Sequence, residues 1–389
     1  MRKFLIGAAG VLTIAIIGFF AVVPGVVEKR FNAVYDHNPY SVSERAQRLH
    51  NTLFVADLHA DTLLWRRNLA TRASRGHVDI PRLQSGNLGL QVFSATTKSP
   101  SGLNYDRNAA DSRDNITTLA VAQRWPVATW NSLYARAEYQ LQRLIALTEA
   151  EPDRLLLIRS RRDLDELVRR RTDGDKIIGA MYLIEGAHPL EGDLDNLDRL
   201  FEQGLRIIGL VHFFDNDVAG SLHGLTRPGL TEFGRAVVRR AEALGMMIDI
   251  AHASPRAVSE VLDLATRPVL LSHGGLRGNC PSPRNLDDDL MRRMAEAGGL
   301  VGIGFWSGAV CDATPDGIVA AIRYAIDTLG VDHVALGSDF DGAVTVAFDA
   351  GELAVLTDRM LAAGFSDEEI AAVMGGNVER FLRDQLPAR

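Results

Sequence analysis

His59 and Asp61 lie two residues apart at the end of an apolar run, so an extended strand puts both side chains on one side. Other apolar runs end in groups of the same kind: Glu185, His212, His252, His273, and Asp339 with Asp341. Imidazole and carboxylate together suit zinc. His59 and Asp61 would hold one ion, and His252 and His273 from neighbouring strands a second. Two close cations need an anion between them, and Glu185 stands where such a bridge belongs. A carboxylated lysine would serve equally, but after Lys29 only Lys98 and Lys176 remain, one in an insertion and one preceding its strand. Each group alone reads as a hydrogen-bonded core residue; desolvating the whole set without a ligand would be very costly.

Groups that converge in this way need a scaffold that brings strand ends together. The candidate strands are 53–57, 88–95, 177–184, 206–212, 246–251, 268–272, 299–305 and 333–337, most of them continuously apolar, as parallel strands covered on both faces are. Helical patterns separate them. Ser254-Pro255 supplies a cap and a first-turn proline, Phe233, Val237, Ala241 and Leu244 repeat at helical spacing before Gly245, and Ser366 with Glu369 forms a capping box. A lead-in helix within 31–52 starts at Ser41 or Ser43. Eight such units predict an α/β fold, a (β/α)8 TIM-type barrel whose catalytic groups sit at the C-terminal strand ends. An insertion after strand two covers about residues 97–175, loop-like over Tyr105–Asn131 and helical over Leu133–Thr148. An open doubly wound sheet is the rival, weakened because no Gly-x-Gly-x-x-Gly turn follows a strand.

The 389 residues carry a net charge of −7. Four of the 42 basic and one of the 49 acidic residues fall within the first 30, which leaves 38 against 48, a net −10. That balance argues against nucleic acid as a partner. Phe4–Val27 is a run of 24 residues without a charge behind Arg2 and Lys3. It reads as an N-terminal hydrophobic helix, either an uncleaved signal anchor or a cleaved signal peptide, so residues 1–30 address the chain and 31–389 form one domain outside the cytoplasm. Cys280 and Cys311 are too few for a disulfide framework or a thiolate zinc cage. They follow neighbouring strands, and in an oxidising compartment they could pair.

Several stretches resemble the membrane dipeptidase (renal dipeptidase) family of zinc peptidases, within the amidohydrolase-like barrels. They are Asp57-Leu-His-Ala-Asp61, His77-Val-Asp-Ile-Pro-Arg-Leu83, Ile184-Glu-Gly-Ala-His188, Ile248-Asp-Ile-Ala-His-Ala-Ser254, Ser272-His273, Pro283-Arg-Asn-Leu286, Gly337-Ser-Asp-Phe-Asp-Gly342 and Gly375-Gly-Asn377. They run in the family's order over about residues 50–383. The resemblance implies that His59 and Asp61 bind one zinc, His252 and His273 the other, and Glu185 both. It implies that His212 orients the scissile carbonyl, that Arg284 holds the substrate carboxylate, and that Asp339 handles protons. The expected activity is hydrolysis of dipeptides with a free C-terminal carboxylate by a metal-bridged hydroxide, and the resemblance allows a homodimer. The alternative is a metal-dependent amidohydrolase acting on lactams or other non-peptide amides. Asp341 is expected only to shape a turn, and His188 and His223 to be solvated loop residues. Thr96–Asn131 is longer and more polar than the family pattern, and Ile322-Arg-Tyr-Ala-Ile-Asp327 stands where many relatives carry two histidines. The loop Gly274–Cys280 also differs in detail beside the site.

Overall fold

Continuous apolar runs, buried on both faces, close into a parallel barrel in the computed structural model, which describes residues 18–388 apart from residue 21. The strands are β1 (Val55–Ala60), β2 (Leu88–Thr96), β3 (Leu155–Leu157), β4 (Ile178–Glu185), β5 (Leu205–Gly209), β6 (Met247–Asp249), β7 (Leu270–Gly274), β8 (Leu300–Ile303) and β9 (Val334–Leu336). Their order is β2-β1-β9-β8-β7-β6-β5-β4-β3, and β2 also pairs with β4 from Leu90 opposite Gly179 to Thr96 opposite Glu185. Eight strands therefore form the closed (β/α)8 barrel, and β3 is an addition outside it. β3 pairs with Ile178–Ala180, whereas β5 pairs with β4 only from Tyr182 onward, so the extra strand satisfies an edge that β5 starts too late to cover.

The helices begin where their caps stand. Ser43 accepts from the Ala46 N–H to start Glu44–Thr52, Ser254 starts Pro255–Leu264, and Gly245, with φ +79°, ends Glu232–Leu244. Ser366 and Glu369 form the expected capping box. Val237, Val238 and Ala241 are fully buried on the inner face of Glu232–Leu244. A second cluster joins Leu90, Val92, Met181 and Leu183 to Val378, Phe381 and Leu382 of the last helix, Asn377–Gln385. Full burial of each such side chain stabilises the fold by about 1.5–3 kcal/mol.

The insertion is more ordered than its composition suggests. Tyr105–Asn131, expected to be loop-like, contains the helix Asn115–Ala122 and the 3-10 turn Val127–Trp130. Asp114 caps that helix through the Ile116 and Thr117 N–H groups, and buried Arg136 of helix Leu133–Ala150 binds Asp114 at 2.5 Å and the Thr97 carbonyl at 2.7 Å. One arginine thus fastens the insertion to the end of β2.

Most of the apolar run Phe4–Val27 lies outside the described residues, and among those no helix is long and apolar enough to cross a membrane. Residues 22–31 are helical, so the expected division after residue 30 falls inside a helix. Glu28 of that helix is buried against the barrel, ion-paired with Arg67 and, at 2.6 Å, with Arg75.

Candidate active site

Three strands and two loops deliver the candidate ligands, the loops carrying Asp61 and His252. His59 comes from β1, Glu185 ends β4 and His273 lies in β7, and all three are buried. Glu185 Oε1 stands 3.1 Å from His252 Nε2, 3.4 Å from His273 Nε2 and 3.7 Å from His59 Nε2. Its Oε2 stands 3.3 Å from His212 Nε2 and accepts from the Thr96 hydroxyl at 3.0 Å. His252 and His273 bring their Nε2 atoms within 3.0 Å of each other, and Asp61 Oδ1 lies 3.7 Å from His59 Nε2. Donors bound tetrahedrally at about 2.0–2.1 Å from zinc stand about 3.3 Å apart. The observed spacings fit that polyhedral edge. His59 Nε2 and Asp61 Oδ1 are buried without a hydrogen-bond partner, which a bound cation would satisfy.

The surrounding hydrogen bonds aim the rings. The Ser272 hydroxyl donates to Asp249 Oδ2 at 2.6 Å and lies 2.9 Å from His273 Nδ1 and 3.3 Å from His59 Nδ1. With its proton committed to Asp249, Ser272 is an acceptor for both rings. That places a proton on Nδ1 of each ring and makes Nε2 the nitrogen that each turns toward Glu185. Asp57 holds the neighbouring loop by accepting from the Ser338 N–H at 2.8 Å and its hydroxyl at 2.7 Å. A Cβ at Gly302 or Gly337 would collide with the Ser272 carbonyl oxygen, so these two glycines let β8 and the end of β9 close around it. Asp57, Asp249, Ser272 and Ser338 have no role in the sequence reading. The two acids carry a local signal, since Asp57 stands two residues before His59 and Asp249 three before His252; the two serines carry none.

The field of the site favours positive charge. Burial lowers the pKa of His59, but the nearby carboxylates of Asp61, Glu185 and Asp339 outweigh it and raise the value to about 10. Burial, reinforced by the positive charges of Arg284 and the other rings, holds His252 and His273 well below the usual histidine value, hence neutral and able to ligate. Burial raises Glu185, yet His212 and His59 beside it bring its pKa below the ordinary value.

Three expected strand ends are shorter than the sequence suggests. β5 stops at Gly209, β6 at Asp249 and β9 at Leu336, so His212, His252 and Asp339 ride on loops three residues further. His252 (φ +63°) and Asp339 (φ +60°) adopt left-handed backbone, which a strand ladder cannot continue. Asp339 nevertheless shares a set of ligand atoms within 4.8 Å of one another with His59 and His273. Arg284, also buried, donates to the His273 carbonyl at 2.9 Å and stacks its guanidinium 5.6 Å from the Trp306 ring centre. Two expectations about loop residues are corrected. Asp341 does more than turn the chain: its buried carboxylate accepts from the His77 N–H at 2.7 Å and the Thr62 hydroxyl at 2.8 Å and ion-pairs with Arg67. His188 and His223 are buried, not solvated, and burial, together with nearby positive charge, lowers each to a pKa of about 3.

Cys280 and Cys311 form a disulfide with a Cα separation of 5.5 Å, tying the loop that carries Arg284 to the loop after β8. It closes a span of 31 residues, for which chain entropy corresponds to about 3–4 kcal/mol. C280S/C311S is therefore expected to unfold at markedly lower urea than the oxidised protein, and coincident unfolding curves would contradict this.

A closed parallel barrel whose imidazoles and carboxylates meet beyond the C-terminal strand ends defines a metal-dependent hydrolase. The sequence pattern of the membrane dipeptidase family (peptidase family M19) matches residues 43–388, and the chain belongs to that family: it is a metallo-dipeptidase. It is 33% identical over 261 residues, 63% of this chain and 94% of the other, to an uncharacterised Klebsiella pneumoniae protein encoded in the pqqA 5′ region. It is 29% identical to dipeptidase tcpJ of Claviceps purpurea, over 81% of this chain and 70% of that one. Its fold matches a Rhodobacter sphaeroides metallopeptidase solved with a phosphinate mimic of the dipeptide L-Ala-D-Ala, with a TM-score of 0.68 and 24% identity over 86% of this chain and 99% of that one. The probable dipeptidase PvdM of Pseudomonas aeruginosa matches with a TM-score of 0.71 and 19% identity over 88% and 98% of the two chains.

Proposed function

We propose that this enzyme hydrolyses dipeptides bearing a free C-terminal carboxylate and does so with two zinc ions, held by His59 and Asp61 on one side and His252 and His273 on the other, with Glu185 between. The observation that carries the reading is the single Glu185 carboxylate ringed by four imidazoles at 3.1–3.7 Å, with buried Arg284 against the His252 ring and the His273 carbonyl. Bound zinc supplies the Lewis acidity that activates water and polarises the amide. His212 donates to the scissile carbonyl oxygen and stabilises the charge that develops there. Asp339 takes a proton from the attacking water and hands it to the departing amine nitrogen. Arg284 binds the substrate carboxylate through its guanidinium fork.

The test is turnover of a dipeptide panel together with zinc quantified in the same sample. Two zinc per chain with dipeptide hydrolysis is expected; a blank panel with lactam turnover would overturn it. For Arg284→Ala the KM for free-carboxylate dipeptides is expected to rise by about 10–100-fold while amidated peptides change little. Equal effects on both would remove the clamp.

The same proposal places the enzyme outside the cytoplasm, secreted or anchored in the membrane by its N-terminal segment. The uncharged run Phe4–Val27 and the disulfide support this. Fractionation of cells expressing the full chain tests it, as sedimentation velocity tests the homodimer.

A further inference from the structure

The insertion after β2 does not lie idle beside the barrel: it sends Tyr105 across the site. The Tyr105 hydroxyl accepts the Trp306 indole N–H at 2.8 Å, on the loop after β8. On the other side, the Tyr105 carbonyl accepts the His223 Nδ1–H at 2.8 Å, and the Asn108 N–H donates to the His223 carbonyl at 2.8 Å. The Tyr105 ring stacks on Phe213 at 5.9 Å and 24°. Both supports touch the ligand cluster, since the Phe213 ring is 5.0 Å from that of His252 and the Trp306 ring 5.9 Å from that of His273. A Cβ at Gly308 would come within 2.6 Å of both the Tyr105 oxygen and the Trp306 nitrogen, so a glycine is needed where the two meet.

Trp306 also lies under the Arg284 guanidinium, so Tyr105 covers the end of the site where that arginine stands. The hydroxyl spends its lone pair on Trp306, and its own proton has no acceptor among the described residues. An unused O–H on the oxygen bound to the indole under that guanidinium is a second donor for a carboxylate.

We propose that Tyr105 is a specificity-determining residue: it caps the carboxylate end of the site, limits the bulk of the C-terminal residue, and donates its O–H to the substrate carboxylate alongside Arg284. This rests on the dipeptidase reading above. The chemistry it selects is a short peptide with a small C-terminal residue. A longer peptide would have to displace the bond between Tyr105 and Trp306.

The experiment compares wild type, Y105F and Y105A, each with its zinc measured, on Ala-Gly, Ala-Ala, Ala-Phe, Ala-Trp and Ala-Ala-Ala. For Y105A the ratio of kcat/KM for Ala-Trp to that for Ala-Gly is expected to rise about tenfold or more. In Y105F the ring still caps the site, so the ratio is expected to stay while KM for every dipeptide rises by about tenfold. Should Y105A not fold, Y105F alone decides whether the hydroxyl acts. A metal-replete Y105A whose selectivity stays within roughly twofold of wild type, or a Y105F with unchanged KM, overturns the proposal. A wild type that cleaves no member of the panel removes the dipeptidase reading itself, a result distinct from either.

Discussion

Asp339→Asn is expected to keep the metal content of the wild type and to lose about 10²–10⁴-fold in kcat, the range that positioned acid–base groups contribute. The side chain is buried on a left-handed turn directly after β9, and its carboxylate reaches the ligand atoms of His59 and His273. Asparagine suits this test because it keeps the shape and tolerates positive φ, so the loop has no reason to move. What it lacks is an oxygen that can accept a proton and release it again. Steady-state kinetics and elemental analysis on one preparation separate the outcomes. A wild-type rate would remove Asp339 from proton transfer. Loss of a metal ion would reassign it as a ligand, a role that its distance to His59 and His273 also permits.

The barrel was legible because its strands are buried on both faces and write themselves as uninterrupted apolar runs, and β3 escaped notice because it is only half-buried and lies within the stretch read as the insertion after strand two. His59 and Asp61 could be paired from alternation alone, since they follow one strand. The exact ends of β5, β6 and β9 were not legible: left-handed turns at His252 and Asp339 carry no glycine signal, so the strands appeared to run on. The helix Asn115–Ala122 was missed although Asp114 marks its start, because a polar stretch with two threonines weakens the helical pattern. The tautomer-setting role of Ser272 was invisible for a different reason. It depends on β1, β6 and β7 meeting around one hydroxyl, and no local pattern encodes that meeting.

The same limit hid Arg67, whose partners lie 39 residues before it and 274 after it. Its side chain is almost wholly buried between Glu28 and Asp341 and donates to the Val78 carbonyl at 2.6 Å. Removing it strands the Asp341 carboxylate in the interior and leaves Glu28 with Arg75 alone, so Arg67→Met is expected to destabilise the fold by about 3–5 kcal/mol, as breaking buried ion pairs does. The pH dependence identifies the cause. Burial raises the Asp341 pKa, but Arg67 and His77 outweigh it and hold the value below the ordinary one, so Asp341 contributes stability above its unfolded pKa that fades as pH falls through the folded one. Without Arg67 only the burial effect and the weaker partners remain, and the folded pKa moves upward. The deficit of the variant is then largest at neutral pH and shrinks on acidification, as protonation relieves the stranded Asp341 carboxylate. Urea unfolding of both proteins at pH 7 and pH 5 reads this directly, and a deficit independent of pH would mean lost packing, not lost charge. Activity in the folded variant carries a second consequence. Asp341 stands two residues from Asp339 and its backbone oxygen accepts the Trp65 indole N–H at 2.7 Å, while the Ala343 N–H is held at 2.9 Å by Asn32 from the N-terminal segment. The turn that carries Asp339 is thus pinned from the N-terminal segment as well as from the segment after β1, so loosening Arg67 is expected to lower kcat more than it raises KM.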